Sequence, residues 1–293
     1  MTQTESRDFN CDLCGGDDAA EIEVARLYNG DEPIHVCRTC GFVYVRRRRT
    51  ADIIARDWSE TIYGPGYTAH IPAVKARQTY VADTINVELG LAGKRLCDIG
   101  SGEGQFVEIV RGYGATVFAV EPSPANCRLL AAQGIAHFQG TVEAFRDSPA
   151  AWPEAGFDLV SIIWTLENCQ SCRSMLDVAW TILKPGGHLV VATGSRLLVP
   201  FKKPLGDYFS PIRADDHAVR FSANTLGGIM AVSGFEPVFV NRYLDSDVLL
   251  RIGRKTDRKR PIAWSGDDYR AVLNFFDRWH TETHLYYPAA GVP

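Results

Sequence analysis

Cys11-Asp12-Leu13-Cys14-Gly15 and Cys37-Arg38-Thr39-Cys40-Gly41 repeat one short pattern, C-x-x-C-G, near the start of the chain. Two residues between the cysteines let both sulfurs of a turn face one ion. The glycine after each second cysteine permits the tight backbone that points amide N–H groups at those sulfurs. Two such turns make a tetrahedral all-thiolate site, the closed arrangement of structural zinc, with iron the smaller alternative. Four protein ligands leave no open position for water or substrate, so the metal is expected to hold the fold rather than do chemistry. Between the pairs, Ile22 and Val24 alternate with charge, and Ile34 and Val36 flank His35 beyond Asn29-Gly30. Short strands are expected there, which makes residues 1–49 a zinc ribbon on Cys11, Cys14, Cys37 and Cys40. A third pair, Cys169 and Cys172, has no partner pair and falls at an expected helix start, while Cys97 and Cys127 are isolated.

A second set of residues begins at Arg95-Leu96-Cys97-Asp98-Ile99, a short apolar strand carrying an acid near its end. Gly100-Ser101-Gly102-Glu103-Gly104 follows at once, then Phe106, Val107, Ile109 and Val110 at helical spacing. Strand, glycine turn and helix in that order form a cradle for a nucleoside ligand, because glycine removes Cβ where the ligand must lie on main chain. The next strand, Thr116 to Val120, ends in Glu121, whose carboxylate suits two ribose hydroxyls. Enzymes of nicotinamide dinucleotides share this layout. Here, however, the third glycine comes one position early and Asp98 precedes the turn, an acid suited to an ammonium group and awkward beside a pyrophosphate. Leu183-Lys184-Pro185-Gly186-Gly187 then opens a strand from His188 to Ala192.

Leu96 to Arg254 resembles the class I S-adenosylmethionine-dependent methyltransferases: acid-x-G-x-G-x-G, the acid after the second strand, Phe157-Asp158-Leu159-Val160 opening the fourth, and L-K-P-G-G before the fifth. The whole chain resembles a bacterial subgroup with an N-terminal zinc ribbon, which includes deoxysugar C-methyltransferases and other sugar and natural-product methyltransferases. In that subgroup the ribbon ends in C-x-x-C-G-hydrophobic-x-Tyr, matched by Cys37 to Tyr44. The resemblance implies an α/β fold, a Rossmann-like seven-stranded methyltransferase sheet with a small N-terminal zinc ribbon. It implies S-adenosylmethionine as cofactor beside a structural zinc. Asp98, Gly100, Gly102 and Gly104 would hold its methionine part, and Glu121 its ribose, with Pro122 and Ser123 alongside. Thr141, within Gly140 to Glu143, would border the adenine, Trp164 would line the same site, and Tyr67 would reach over the cofactor.

Methyl transfer needs position, a dry cleft and a nucleophile relieved of its proton. The acceptor is expected above the ends of the fourth and fifth strands, at Trp164 to Asn168 and Thr193 to Ser195. Relatives read L-E-H where this chain has Leu166-Glu167-Asn168, and an amide is no base. His217, in Asp215 to Ser222, resembles an H-x-x-x-F-[ST] segment that lies beside the substrate in relatives. Histidine is the residue type suited to taking up a proton under physiological conditions, and His217 is the candidate general base, with His70 and Tyr67 in reserve. A small-molecule acceptor fits best: a sugar, a nucleotide sugar or a secondary metabolite. An RNA methyltransferase clamping nucleic acid with the ribbon and Arg46 to Arg49 is one alternative, and a non-catalytic cofactor-binding protein that has lost its base is another.

These groups need scaffolding, and the chain supplies it. Its 293 residues, 46% hydrophobic and 23% charged, suit one large α/β domain with an appendage. Residues 50–90 read as a helical junction with Trp58, a Gly64-Pro65-Gly66 turn placed to act as a lid, and an amphipathic helix from Ala73 to Leu89 carrying Val74, Tyr80, Val81, Ile85 and Leu89 inward. Residues 91–256 carry the sheet, closing with a helix from Asn224 to Val232 and strands at Phe235 to Val240 and Asp247 to Ile252. Residues 257–293 bring an apolar-faced helix that docks on the core or on a second copy in a homodimer. With 31 basic against 35 acidic residues and a net charge of −4, no broad cationic field for nucleic acid exists, and Arg46 to Arg49 read as a solvated face. No apolar run reaches membrane length and no export signal opens the chain, so a cytoplasmic location without membrane partners is expected.

Overall fold

The computed structural model describes residues 6–29, 33–62, 71–197, 204–209 and 217–283. Strands β1 (Ser6–Asp8), β2 (Ala19–Glu21), β3 (Ile34–Cys37), β4 (Val43–Val45) and β5 (Arg47–Arg49) build the N-terminal unit. Both cysteine turns close as the spacing requires: Gly15 N–H donates to Cys11 O (2.8 Å) and Gly41 N–H to Cys37 O (2.9 Å). Gly15 and Gly41 take φ of 79° and 66°, the left-handed region that favours glycine.

Two expectations for this unit are corrected. Ile22 and Val24 are buried, but not as strand residues: β2 stops at Glu21, and a 3-10 turn (Glu23–Ala25) and helix α1 (Arg26–Asn29) follow. Their spacing serves burial in a turn equally well, and the core decided between the two. The solvated face expected of Arg46 to Arg49 is broken at Arg48, while Arg47 stays exposed and Arg46 and Arg49 are half-buried. Arg47 to Arg49 are strand residues paired with β1, and Arg48 is 2% exposed. Arg48 forms an ion pair with Asp12 at 2.6 Å, while Arg49 pairs with Asp57 and Arg46 donates to Asp17 O.

Helix α2 (Ala51–Asp57) runs into a π-helical turn, Trp58–Ile62, and helix α3 (Ile71–Leu89) follows. Val81, Ala82 and Ile85 face the sheet, but Tyr80, expected inward, is 41% exposed. It lies about 100° round the helix from Val81, outside the stripe. The lid turn at 64–66 falls outside the described residues.

The remaining chain alternates strand and helix: β6 (Arg95–Ile99), α4 (Gln105–Gly112), β7 (Thr116–Glu121), α5 (Pro124–Ala132), β8 (Ala136–Gln139), α6 (Val142–Arg146), β9 (Phe157–Ile163), α7 (Cys172–Ile182) and β10 (Leu183–Thr193). It continues with α8 (Leu205–Phe209), β11 (Val219–Arg220), α9 (Ala223–Val232), β12 (Phe235–Val240), β13 (Leu249–Lys255) and α10 (Tyr269–Thr283). The large sheet has seven strands in the order β12-β13-β10-β9-β6-β7-β8, with β13 antiparallel to both its neighbours. This is the expected Rossmann-like α/β sheet with its reversed strand. Apolar β9 and β10 sit mid-sheet with helices on both faces, as fully buried parallel strands must. Asp158 fastens the sheet's lower edge, accepting from Arg95 N–H (2.8 Å) and pairing with Lys184 Nζ (2.5 Å).

β11 does not join the large sheet. It completes a second, four-stranded sheet, β11-β4-β3-β2, with Val219 opposite Tyr44 and Arg220 opposite Val43. Helix α10 turns back onto the N-terminal unit as well. Val272, Phe276 and Trp279 are buried with Ile34, Val36, Val43, Val45, Tyr208 and Phe209, and Tyr28 Oη lies 2.7 Å from His280 Nδ1. The helix expected to dock on the core or on a second subunit thus covers its apolar face with the ribbon of its own chain. Among the described residues no helix is long and apolar enough to cross a membrane.

Candidate functional site

The chain winds from β6 outward to β8, then crosses back to β9, so the strand order reverses between β6 and β9. Ligands enter doubly wound sheets at that point, beyond the carboxyl ends of the strands. Here those ends are Ile99-Gly100 and Ile163-Trp164, and both border an open cleft.

Gly100, Gly102 and Gly104 all take positive φ, at 77°, 56° and 89°. They serve different ends. A Cβ on Gly100 would stand 2.4 Å from Thr165 Cγ2, so the turn passes flush against the tip of β9. A Cβ on Gly104 would meet Leu130 and Gln133, so the third glycine lets α5 pack against the head of α4 and does not line the cleft. Gly102 faces Glu121: its N–H donates to Glu121 Oε2 at 2.8 Å. Glu121 Oε1 accepts from Ser123 N–H (2.9 Å) and Asn126 Nδ2 (3.3 Å). Burial pushes the Glu121 carboxyl above the ordinary range, and these donors oppose the rise.

Asp98 lies below this floor. It is 2% exposed, accepts from Ser161 Oγ at 2.6 Å across the β6–β9 pair, and does not line the cleft. Burial pushes its carboxyl up to about 7; the Ser161 hydroxyl works against the rise and the Glu121 charge adds to it.

On the β7 side a cavity of ≈ 730 Å³ is bordered by Glu121, Pro122, Thr141 and Trp164, with Ile54, Trp58 and Met175 opposite. Thr141 also caps α6, accepting from Ala144 N–H at 3.3 Å. A second cavity of ≈ 810 Å³ continues over Gly100 to Glu103 and reaches Arg77, Glu167, Asn168 and His217. The two share Trp58, Gly100, Trp164, Thr165 and Asn168, and so form one cleft with two arms. Trp164 holds φ 51°, a costly value for a tryptophan. Its Nε1–H donates to Asp247 O at 3.0 Å, and the Arg77 guanidinium lies 4.9 Å over its ring. Asn168 Oδ1 and Ser101 Oγ are buried in the cleft wall without a hydrogen-bond partner among the described residues. Orphaned polar atoms at the mouth of such a cradle suit a polar ligand.

His217 stands just before β11 and borders the second arm together with Asn168; both also line a side recess with Arg47, Arg48 and Arg49. His217 and Asn168 therefore border the same arm of the cleft. Thr193 and Ser195, expected near the acceptor, are buried at the end of β10, where Ser195 N–H donates to Ser246 O at 2.9 Å. Tyr67 and His70 lie outside the described residues.

Cys11, Cys14, Cys37 and Cys40 converge, with Cys11 and Cys40 Sγ 3.5 Å apart, Cys14 and Cys37 Sγ 3.4 Å apart, and all four sulfurs within 4.8 Å of one another. Tetrahedral thiolates around zinc at ~2.3 Å stand ~3.8 Å apart, so the cage fits such an ion. Cys169 and Cys172 Sγ are 3.7 Å apart at the head of α7, as their place in the sequence suggested.

Trp58, Ile54, Arg77 and Met175 went unassigned by motif. Only the lone tryptophan in an otherwise polar stretch offered a signal; the other three gain meaning from the arrangement of α2, α3 and α7.

A family model described as a methyltransferase domain matches residues 74–239, more than half of the chain. The chain is 29% identical over 123 residues to a demethylmenaquinone methyltransferase of Tropheryma whipplei (strain Twist), covering 41% of this chain and 51% of that protein. It is 30% identical over 122 residues to a ubiquinone biosynthesis O-methyltransferase of Xylella fastidiosa (strain 9a5c), covering 41% and 49%. The chain thus spans about half the length of the curated relatives it matches. Among solved structures it is similar in fold to an S-adenosylmethionine-dependent methyltransferase from Thermotoga maritima, a possible histamine N-methyltransferase, with TM-score 0.52 at 19% identity over 69% of this chain and 100% of that one. Glycine turn, the acid at the tip of β7, reversed strand and family match agree, and the chain belongs to the methyltransferase-domain family with the class I fold.

Proposed function

We propose that the protein transfers the methyl group of S-adenosylmethionine to a small-molecule acceptor, most specifically a sugar, nucleotide sugar or secondary metabolite. The carrying observation is the closure of Glu121 onto Gly102, which sets a carboxylate and bare main chain side by side at the strand-order reversal. In this reading the ribose meets Glu121, the adenine lies by Pro122 and Thr141, and the methionine end runs along Gly100 to Gly102. Ser101 Oγ lies beside that end, and Arg77 offers a cation for its carboxylate. Asp98 acts from beneath, through the turn. The cofactor supplies an electrophilic methyl group when bound. The protein's part is to exclude water with Trp58 and Trp164, orient the acceptor with Asn168, and accept a proton at the His217 imidazole. Zinc on the four thiolates holds the ribbon.

The RNA reading loses support, because Arg48 is buried against Asp12 and Arg49 is paired with Asp57. The non-catalytic reading loses its motive, because His217 reaches the arm where Asn168 stands. The decisive experiment is calorimetric titration with S-adenosylhomocysteine, followed by assay of its release from S-adenosylmethionine across sugar nucleotides, glycosides and hydroxylated aromatics. Absence of binding overturns the cofactor reading. Binding without release of product by any acceptor class favours the non-catalytic one.

A further inference from the structure

Asp12 sits between two of the four thiolates yet turns its carboxylate away from them. It is 6% exposed, and its Oδ2 lies 2.6 Å from Arg48 Nη2. Its Oδ1 accepts from Cys172 N–H (3.1 Å) and lies 3.5 Å from Ser171 Oγ, and its main-chain oxygen accepts from Arg173 Nε (2.8 Å). Cys172 is the first residue of α7, so a carboxylate from the ribbon caps a helix of the methyltransferase sheet. Ser171 already caps that helix locally, accepting from Ser174 N–H at 3.2 Å. A helix N-terminus with a second, borrowed anion is favoured by its unpaired amides and its dipole.

Arg48 extends the link. Its Nη1 donates to Gln170 O (2.9 Å) and its Nε to Val45 O (2.7 Å), while Gln170 Nε2 donates back to Arg49 O (2.9 Å). The segment joined in this way carries Asn168, Cys169 and Gln170, which wall the cavity beside Glu121 and Pro122. Two buried charges are a costly way to hold a loop, since each must be stripped of water. Their position between metal turn and cleft gives them a use beyond stability.

We propose that Asp12 is a positioning residue for the methyltransferase site. Through Arg48 and the head of α7, it transmits the order of the thiolate turn to the 168–170 wall and so sets how tightly the cleft grips an adenosyl ligand. This rests on the cofactor reading above.

The test compares the full-length, metal-loaded parent with an Asp12→Ala/Arg48→Met double variant. Removing both charges strands neither, which is better tolerated than either single change. Three quantities are read: metal content, amide hydrogen exchange, and affinity for S-adenosylhomocysteine. The expected result is parental metal content, exchange accelerated across 166–172 but unchanged in β10, and affinity weakened roughly tenfold. If the double variant fails to fold, Arg48→Lys, which keeps the charge but loses the fork that reaches both Asp12 and Gln170 O, is expected to shift exchange and affinity in the same direction. Parental exchange and affinity in a folded, metal-loaded variant overturn the proposal. A parent that binds no S-adenosylhomocysteine overturns the cofactor reading instead, and the exchange across 166–172 still decides the positioning role.

Discussion

Gly102 N–H and Glu121 Oε2 are 2.8 Å apart, so the turn after the first strand of the large sheet is buttoned to the tip of the second by a single carboxylate. That carboxylate also accepts from Ser123 N–H, and it borders the cavity beside Pro122. One side chain thus both shapes the cradle and presents an anion to it.

Replacing Glu121 separates these two tasks. Glu121→Gln keeps an acceptor oxygen and is expected to weaken S-adenosylhomocysteine binding by about tenfold. Glu121→Ala also strands two main-chain donors and is expected to cost about a hundredfold, with a lower melting temperature. Titration calorimetry beside thermal unfolding checks both; equal affinity in parent and Glu121→Ala would remove the carboxylate from the site.

Asp98 carries a pH signature. Its folded pKa of about 7 stands above the ordinary 3.8 that it regains on unfolding. Its contribution to stability is therefore complete below about 3.8 and lost as pH rises through about 7. Asp98→Asn keeps an oxygen for the Ser161 hydroxyl and stays neutral at every pH. It is expected to melt several degrees above the parent near pH 8 and level with it near pH 4. A difference in melting that does not change with pH would show that Asp98 is not the titrating group.

Features carried by short stretches of chain are legible in the order of residues alone. Both C-x-x-C-G turns, the glycine turn, Glu121 and the reversed strand depend on residues a few positions apart, so spacing encodes them. What spacing hides depends on distant partners. Nothing near Arg48 announces Asp12, and four arginines in a row read as a solvated face until the ribbon folds onto α7. Val219-Arg220 is too short to declare itself a strand; only the free edge of β4 makes it one. Arg77 becomes a cleft residue because α3 lays it over Trp164. Glycine at 104 matches the motif, yet it answers to Leu130 and Gln133 rather than to a ligand.

Metal removal tests the ribbon. With the four sulfurs within 4.8 Å of one another, their thiolates would repel without a cation between them, and the ion is expected to be necessary for order there. A strong chelator, or Cys37→Ser, should expose residues 6–49 to protease while the large sheet resists. Helix α10, which packs on the ribbon, should become cleavable in the same interval. Limited proteolysis read by mass spectrometry, with elemental analysis for zinc, checks this; an unchanged digestion pattern after complete metal loss would count against it.

His217 is the candidate base. Once an acceptor is known, His217→Ala is expected to lower kcat by about a hundredfold or more while affinity for S-adenosylhomocysteine stays parental. Asn168→Ala, which removes an amide and no base, is expected to raise KM with a smaller effect on kcat. Steady-state kinetics of both variants against pH provide the check. A His217→Ala enzyme at full turnover would shift the role of base to other groups in the cleft.

The strand Val219–Arg220, paired with Val43 and Tyr44, sets an order of events at the ribosome. The ribbon strands β2 to β4 emerge early, but one edge of their small sheet waits until Val219 and Arg220 have been made, and its greasy underside waits longer still, for Phe276 and Trp279. A nascent chain stalled anywhere in that interval displays an unpaired edge flanked by bare aromatics and aliphatics, an invitation to clumping. Synthesis speed and chaperone supply should therefore bear on how much intact protein a cell recovers, and loss of either the ribbon or helix α10 should harm the other.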